Sequence, residues 1–310
     1  MSKILITGGA GFIGSNLVDA LIDQGHEVLV VDNLSTGRKE NLNPKAKFFE
    51  LDLTDKKLIK VFKSEKPEIV FHEAAQIDVR KSVADPVWDA KQNILSSVNL
   101  LENCKNFGVE KVIFASTGGA IYGDTDQIPT PESHLEQPIS PYGIAKLTIE
   151  KYLHYYHQVF GLPYIALRYS NVYGPRQNSK GEAGVVAIFC DKLLSGQPPV
   201  IHGDGRQTRD YVYVSDVVKA NLMALKSDKI GIYNIGTSIE TDVNKISELI
   251  KDNIGTEIDF THGEAKAGEQ QRSCIDYGKA KNELDWKPSV NLVKGIKKTV
   301  DWFKNLRREK

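Results

Sequence analysis

The run KILIT at residues 3–7 passes directly into GGAGFIGSNLVDALIDQG, so Gly8, Gly11 and Gly14 stand between a strand pattern and a helical one. Glycine at such a junction allows a tight turn, lets backbone approach a pyrophosphate closely and lets the helix pack onto the sheet. The helix that follows presents N–H groups to an anion. The spacing is GxxGxxG rather than GxGxxG, and helix-capping turns use such glycines too, so the motif needs context.

That context is an alternation along the chain. EVLVVD, KFFELD, EIVFHEA, KVIFAS and YIALRY are separated by helical patterns such as 12–24, 54–66 and 88–107. Strands alternating with helices predict an α/β fold, a doubly wound parallel sheet covered on both faces. Continuous apolarity in EVLVV and KVIF predicts strands buried on both sides. Beyond about residue 170 the pattern loosens into loops at 174–184 and 195–210, with helices expected at 184–195, 215–227, 243–253 and 291–308. The expectation is a first domain over 1–170, segments near 211–236 returning to it, and a smaller C-terminal domain over most of 171–310. A chain of 310 residues suits two such units.

Composition narrows the function classes. Forty basic and forty acidic residues cancel, leaving no charge signature of a nucleic-acid or acidic-membrane binder. Cys104, Cys190 and Cys274 lie far apart without CxxC or Cys/His spacing, so neither a disulfide framework nor a metal site is expected, and a reducing cytoplasm fits. The N-terminus lacks a signal-peptide pattern and no run reaches membrane-spanning length, so a soluble, unprocessed protein is expected.

Asp32 closes EVLVVD, 18 residues past Gly14, where a carboxylate can accept bonds from both adenosine ribose hydroxyls. An acid there repels a 2′-phosphate, which favours NAD over NADP. Asp52, closing FFELD, is a candidate partner for the adenine amine, or else an N-cap for the helix at 54–66.

In ISPYGIAKLTIEKYLHYY, Ser140 suits an N-cap and Pro141 the first turn. Tyr142 and Lys146 are then i and i+4, on one face and within reach of a common ligand. A nearby ammonium favours the phenolate, which would let Tyr142 act as general base or acid near neutrality. The bland reading is a core Tyr and an exposed Lys. ASTGGAIYG adds Ser116 and Thr117 at the end of the strand KVIFAS.

The joint occurrence of GxxGxxG, an acid-ended second strand, Ser/Thr at a strand end and YxxxK, in that order, resembles the extended short-chain dehydrogenase/reductase family over essentially the full chain. The resemblance implies a Rossmann-like fold, with a smaller substrate-binding domain, and NAD as cofactor. It also implies a catalytic set of Thr117, Tyr142 and Lys146, the Lys orienting the nicotinamide ribose. Counting from the strand anchor VIFAST selects Thr117, with Ser116 in reserve; counting back from Tyr122-Gly123 would select Gly118. The implied cofactor contacts are Gly8, Gly11, Phe12, Ile13, Gly14, Asp32, Asn33, Ser35, Thr36, Gly37, Asp52, Leu53, Ala74, Ala75, Gln76 and Asn93, together with Tyr142, Lys146 and Tyr169.

Within that family, dehydratases follow the Thr with an Asp-Glu pair, where this chain has Gly118 and Gly119, which can donate no proton. The longer match is to UDP-galactose (UDP-glucose) 4-epimerases and their N-acetyl-hexosamine relatives, through TGGAGFIGS, VDNLSTG, HEAAQIDVRKSV, SPYGIAK, RYSNVYGPRQ, GEAGVVAIF and GDGRQTRDYVYVSDV. It implies removal of the 4-OH proton by Tyr142, hydride transfer to the nicotinamide, rotation of the 4-keto sugar and return of the hydride to its other face. By family position, Asn171 and Arg209 meet the diphosphate and Gly184, Val185 and Val200 lie near the uridine. An ion pair with Asp210 or Asp216 is the alternative for Arg209. Lys266 and Glu269 fall in the diphosphate segment, where Lys266 replaces an Arg and Arg272 could compensate. Ser273 stands where enzymes confined to unsubstituted hexoses carry Tyr, which implies room for a 2-acetamido group.

Three further expectations remain. Arg176 in GPRQ could pair with a C6 carboxylate, as a UDP-glucuronate 4-epimerase would need. A non-catalytic NAD-sensing regulator could use the same fold. Apolar residues beyond one face of helices 88–107 and 144–160, including Trp88, Ile94, Leu101, Tyr152 and Tyr155, suggest a homodimer through these helices.

Overall fold

The computed structural model describes residues 1–180, 184–265 and 270–308. Strands β1 (Lys3–Thr7), β2 (Glu27–Asp32), β3 (Lys47–Glu50), β4 (Ile69–His72), β5 (Lys111–Thr117) and β6 (Tyr164–Tyr169) follow the predicted order. Between them run α1 (Phe12–Asp23), α2 (Leu58–Glu65), α3 (Val79–Ala84), α4 (Pro86–Ala90), α5 (Ser96–Asn106) and α6 (Pro141–Phe160). The chain continues through β7 (Asn171–Tyr173), α7 (Val185–Leu194), β8 (Val200–His202), β9 (Thr208–Tyr213), α8 (Val214–Lys226) and β10 (Gly231–Ile235). It ends with β11 (Glu240–Asp242), α9 (Val243–Ile254), β12 (Thr261–Gly263), β13 (Arg272–Ser273), α10 (Gly278–Leu284) and α11 (Leu292–Arg308).

Seven strands form one parallel sheet in the order β10-β6-β5-β4-β1-β2-β3. Side-chain alternation explains why the strand runs read as continuously apolar. Ile4, Ile6, Val28 and Val30 face a core with Leu17 and Leu21 of α1 and Val217 and Ala220 of α8. Leu5, Leu29 and Val31 face the opposite core, with Phe62 of α2, Leu100 of α5 and Leu153 of α6. Each of the buried Val, Leu, Ile and Phe side chains among these contributes roughly 1.5–3 kcal/mol relative to exposure. Strand order reverses between β1 and β4, which opens a crevice beyond the carboxyl ends of the strands.

Residues 214–235 return to this sheet: α8 covers one face and β10 pairs with β6. The remaining strands build smaller sheets. Along β9 lie β7 and β13, both parallel to it, with β11 antiparallel, while β8 pairs with β12. Helices α7, α9 and α11 cover them through Phe189, Ile246, Ile250 and Phe303.

Two helix expectations change. The helix expected over 54–66 starts only at Leu58, because Asp52 first organises a turn by accepting bonds from the Thr54 N–H, 2.8 Å, and hydroxyl, 2.6 Å. The segment expected as one helix over 88–107 starts at Pro86, behind an Asp85 N-cap, and widens into a π turn over Lys91–Leu95 before α5. By contrast α6 begins as the sequence predicts, with Ser140 Oγ accepting from the Gly143 N–H at 3.1 Å and Pro141 in the first turn. Among the described residues no helix is long and apolar enough to cross a membrane, and the three cysteines are buried and unpaired.

Candidate functional site

A cleft of about 440 Å³ opens at the ends of β1, β2, β4, β5 and β6. One end of it is the glycine turn. Gly8 has φ +73°, and a Cβ there would stand 2.7 Å from the Ala74 nitrogen; one on Gly14 would stand 2.3 Å from the Gly8 carbonyl oxygen. No side chain fits at either position. Gly11 caps α1 without a side-chain hydrogen bond, and the first turn carries no acid, so the helix start is open to an anion.

Asp32 is buried beside this turn. Its Oδ2 accepts from the Ala10 N–H at 3.0 Å and its Oδ1 from the Leu34 N–H at 2.8 Å, which leaves lone pairs on both oxygens for ligand hydroxyls. Burial pushes its carboxyl up, against those two backbone bonds. Gly37 is packed so closely that a Cβ would lie 2.9 Å from Asp32 Oδ1. Asn33, Ser35, Thr36, Asp52 and Leu53 line the same end, with Asn33 Nδ2 donating to Asp52 at 2.7 Å. Asp52 therefore combines both readings, turn cap and cleft wall.

Ala74, Ala75 and Gln76 form the adjoining wall. Asn93 does not line the cleft; it clamps that wall. Its Oδ1 accepts from the Gln76 N–H at 2.9 Å, and its Nδ2 donates to the Gln76 carbonyl at 3.0 Å and to Asp89 Oδ1 at 3.0 Å. The π turn carries Asn93 itself, in keeping with the tendency of such turns to mark functional sites.

Ser116, Tyr142 and Lys146 line the other end, and Thr117 is the last residue of β5. The Thr117 side chain acts on the Tyr142 phenol, favouring its ionised form. Ser116, its neighbour on β5, turns instead to α6 and donates to Glu150 Oε1 at 2.6 Å, inside a buried network in which Arg168 also binds Glu150, at 2.9 and 2.6 Å. Strand alternation thus separates the two hydroxyls. Lys146 is 3% exposed; its ammonium donates to the Ala115 carbonyl at 2.6 Å and lies 4.7 Å from the Phe114 ring centre and 5.9 Å from that of Tyr142. Burial brings Lys146 down to about 8, opposed by Glu73, Glu150 and Asp89. The phenol of Tyr142 moves up rather than down, because its removal from water outweighs the opposing influence of Thr117. The expectation that the ammonium alone would favour phenolate is corrected by that burial.

A second group of residues gathers around Gly119. A Cβ there would lie 3.5 Å from Asn171 Oδ1, 3.9 Å from Ser273 Oγ and 4.0 Å from Thr117 Oγ1, ordinary contact distances. At Gly118 a Cβ would stand 2.6 Å from Ile275 Cδ1, so a side chain there would have to displace Ile275. Parallel register sets Ser273 beside Arg209 and Asn171 beside Tyr211 along β9. Arg209 donates to the Thr208 carbonyl at 2.8 Å. Asp210 is held by Thr237 and Ser238, and Asp216 by Ser289 and Val290. Gly184 and Val185 start α7; Val200 sits on β8, 45% exposed and outside the main cleft. Lys266 and Glu269 lie outside the described residues. Arg272 is engaged by Glu240 through bonds of 3.0 and 2.6 Å, and Arg176 by Asp19 at 2.7 Å.

The profile of the family described as "NAD dependent epimerase/dehydratase family" matches residues 4–236. The chain belongs to this family. A crystal structure of UDP-glucose 4-epimerase with UDP-glucose from Thermotoga maritima is 49% identical, covers 98% of this chain and 99% of its own, and superposes with a TM-score of 0.97. The Thermus thermophilus UDP-glucose 4-epimerase complex with NAD is 43% identical, with coverage of 97% and 99% and a TM-score of 0.94. A UDP-N-acetylglucosamine 4-epimerase from Methanobrevibacter ruminantium, in complex with UDP-N-acetylmuramic acid, is 38% identical, with coverage of 98% and 99% and a TM-score of 0.93.

In this epimerase/dehydratase family member the cleft also takes in Glu73, Gln177, Asn178 and Lys180, which sequence reasoning did not select. Glu73 stands inside the motif HEAAQ, where an acid in an otherwise apolar strand end was the available signal. For the other three, the loop after β7 gave none; it is tied to the cleft rim by Arg38, which donates to Asn178 Oδ1 at 2.9 Å.

Proposed function

We propose that this protein interconverts UDP-glucose and UDP-galactose at C4, using NAD, and that it accepts the 2-acetamido sugars UDP-GlcNAc and UDP-GalNAc as well. The observation that carries this reading is Tyr142, acted on by Thr117, with Lys146 in a cleft that runs to the Gly8 turn and Asp32, close to the group of Gly119, Asn171 and Ser273. The names of the relatives support the substrate class.

Bound NAD supplies a hydride acceptor and donor, with no net oxidation of the sugar. The chain supplies the rest. The Gly8–Gly14 turn and the start of α1 hold the pyrophosphate, and Asp32 takes the adenosine ribose. Lys146 orients the second ribose and offsets negative charge on Tyr142. With Lys146 and the positive charge of bound oxidised NAD offsetting the cost of burial, Tyr142 would act as the phenolate and take the 4-OH proton as the 4-keto sugar forms; Thr117 would align the hydroxyl, and Tyr142 would return the proton after the sugar has turned. Gly118 and Gly119 offer neither acid nor base for loss of water. Asn171 and Arg209 are assigned to the diphosphate, and Gly184, Val185 and Val200 to the uridine side, the smaller C-terminal unit thus holding the nucleotide-sugar.

The test is to incubate purified protein with UDP-glucose, UDP-GlcNAc and UDP-glucuronate, without and then with added NAD, and to separate the products. Conversion of the first two is expected. Exclusive conversion of UDP-glucuronate would replace this reading with the acid epimerase, although Arg176 is already engaged by Asp19. Failure on all three with NAD present would favour a non-catalytic regulator.

A homodimer, in a reducing cytoplasm, completes the reading. Val87, Leu95, Ile144, Tyr155, Val159 and Phe160 are all at least 46% exposed along α4–α6, an apolar surface that a second copy would cover. Leu101, expected on that surface, is buried in the core at 1%. Sedimentation at micromolar concentration is expected to give a dimer; a monomer alone would refute it.

A further inference from the structure

Glu73 directly follows β4 and lines the cleft between the Gly8 turn and Lys146. Its carbonyl carbon lies 3.0 Å from the point a Cβ on Gly8 would occupy. Its carboxylate Oε1 accepts a hydrogen bond of 3.1 Å from the Tyr169 hydroxyl. The direction of that bond follows from its neighbours. Asn221 Nδ2 donates to Tyr169 Oη at 2.7 Å and to the Val217 carbonyl at 3.0 Å, so the amide nitrogen faces Tyr169. The single phenolic proton then points to Glu73.

Two charged or titratable groups act on this carboxyl. Lys146 acts on it from α6 and Tyr169 from β6. His72, the preceding residue on β4, is held near 3 by burial and is therefore neutral, hydrogen-bonded to Thr7 and Ser97. Beyond Lys146, Asp89 and Glu150 act on that ammonium in turn. Burial pushes the Glu73 carboxyl up to about 7, against Tyr169 and Lys146.

We propose that Glu73 sets the charge of the nicotinamide half of the cleft: its carboxylate, aimed by Tyr169, favours the cationic oxidised dinucleotide over the neutral reduced one. This rests on the reading that the nicotinamide ribose is held by Tyr142 and Lys146. A unit negative charge in the same low-dielectric cleft as a cationic ring would discriminate by about tenfold or more. For a reaction without net redox, that bias favours return of the hydride to the sugar over escape of a keto sugar from reduced enzyme.

Purified holoenzyme, wild type and Glu73→Gln, is titrated with a chemical reductant of known potential, the bound dinucleotide being followed by its near-ultraviolet absorbance. Loss of the carboxylate is expected to raise the midpoint potential by about 30 mV, the two-electron equivalent of tenfold. Tyr169→Phe is expected to move it the same way by less, and provides the test if Glu73→Gln does not fold. In the wild type the bias to the oxidised form strengthens as pH rises through about 7, where Glu73 loses its proton; in Glu73→Gln this component is absent. Midpoints indistinguishable from wild type in a folded variant overturn the proposal. A wild-type protein that holds no dinucleotide overturns the reading beneath it.

Discussion

Tyr142→Phe is expected to lower turnover of every UDP-hexose by about a thousandfold or more, within the range for loss of a general acid–base group. Phe keeps the ring, so the packing against Lys146, 5.9 Å from the ring centre, should survive. Only the hydroxyl, on which Thr117 acts, is removed. NAD binding and the melting temperature should therefore change little. Thr117→Val removes the hydroxyl that acts on the phenol and should cost less, about tenfold to a hundredfold, because the proton carrier remains. Ser116→Ala should spare the chemistry: Ser116 serves Glu150, and Arg168 still pairs with that carboxylate at 2.6 Å. Rates are measured with UDP-glucose at saturation. A wild-type rate in Tyr142→Phe sinks the mechanism, and a larger loss in Ser116→Ala than in Thr117→Val reverses the assignment of the hydroxyl.

Much of this architecture was legible because its chemistry is local. The glycine spacing, Asp32 at a strand end and the Ser140-Pro141 helix start each reflect backbone rules that act within a few residues. Thr117 was open by one residue on counting alone; strand alternation separates it from Ser116, since neighbours on a strand face opposite sides. What stayed hidden depends on distant partners. Arg272 looks available for a phosphate until Glu240, 32 residues away, takes it. Asn93 belongs to the site through the π turn, whose widening has no period in the sequence to announce it. Helices 88–107 and 144–160 show apolar residues on several sides, yet only packing tells that Leu101 goes inward while Tyr155 stays 46% exposed. Glu73 was readable as a letter in HEAAQ and unreadable as a charge beside Lys146.

Ser273→Tyr is expected to abolish use of the acetamido sugars while sparing the plain hexoses. Ser273 is placed by β13, whose register with β9 sets it beside Arg209, and its hydroxyl is 3.9 Å from where a Cβ on Gly119 would stand. The space it borders is shared with Asn171 and Thr117, so a phenol ring entering from β13 would occupy volume next to the reacting hydroxyls. A 2-acetamido group adds a planar amide that cannot shrink, and forcing it against a ring is an overpacking cost. The expected loss for UDP-GlcNAc is about a hundredfold or more, with UDP-glucose within a few-fold of wild type, since its 2-OH needs no such room. The ratio of the two rates is the deciding measurement, because damage to folding or to NAD binding lowers both and leaves it unchanged. An unchanged ratio would mean that the acetamido group does not lie towards β13, and that sugar selection must be sought on the α7 side.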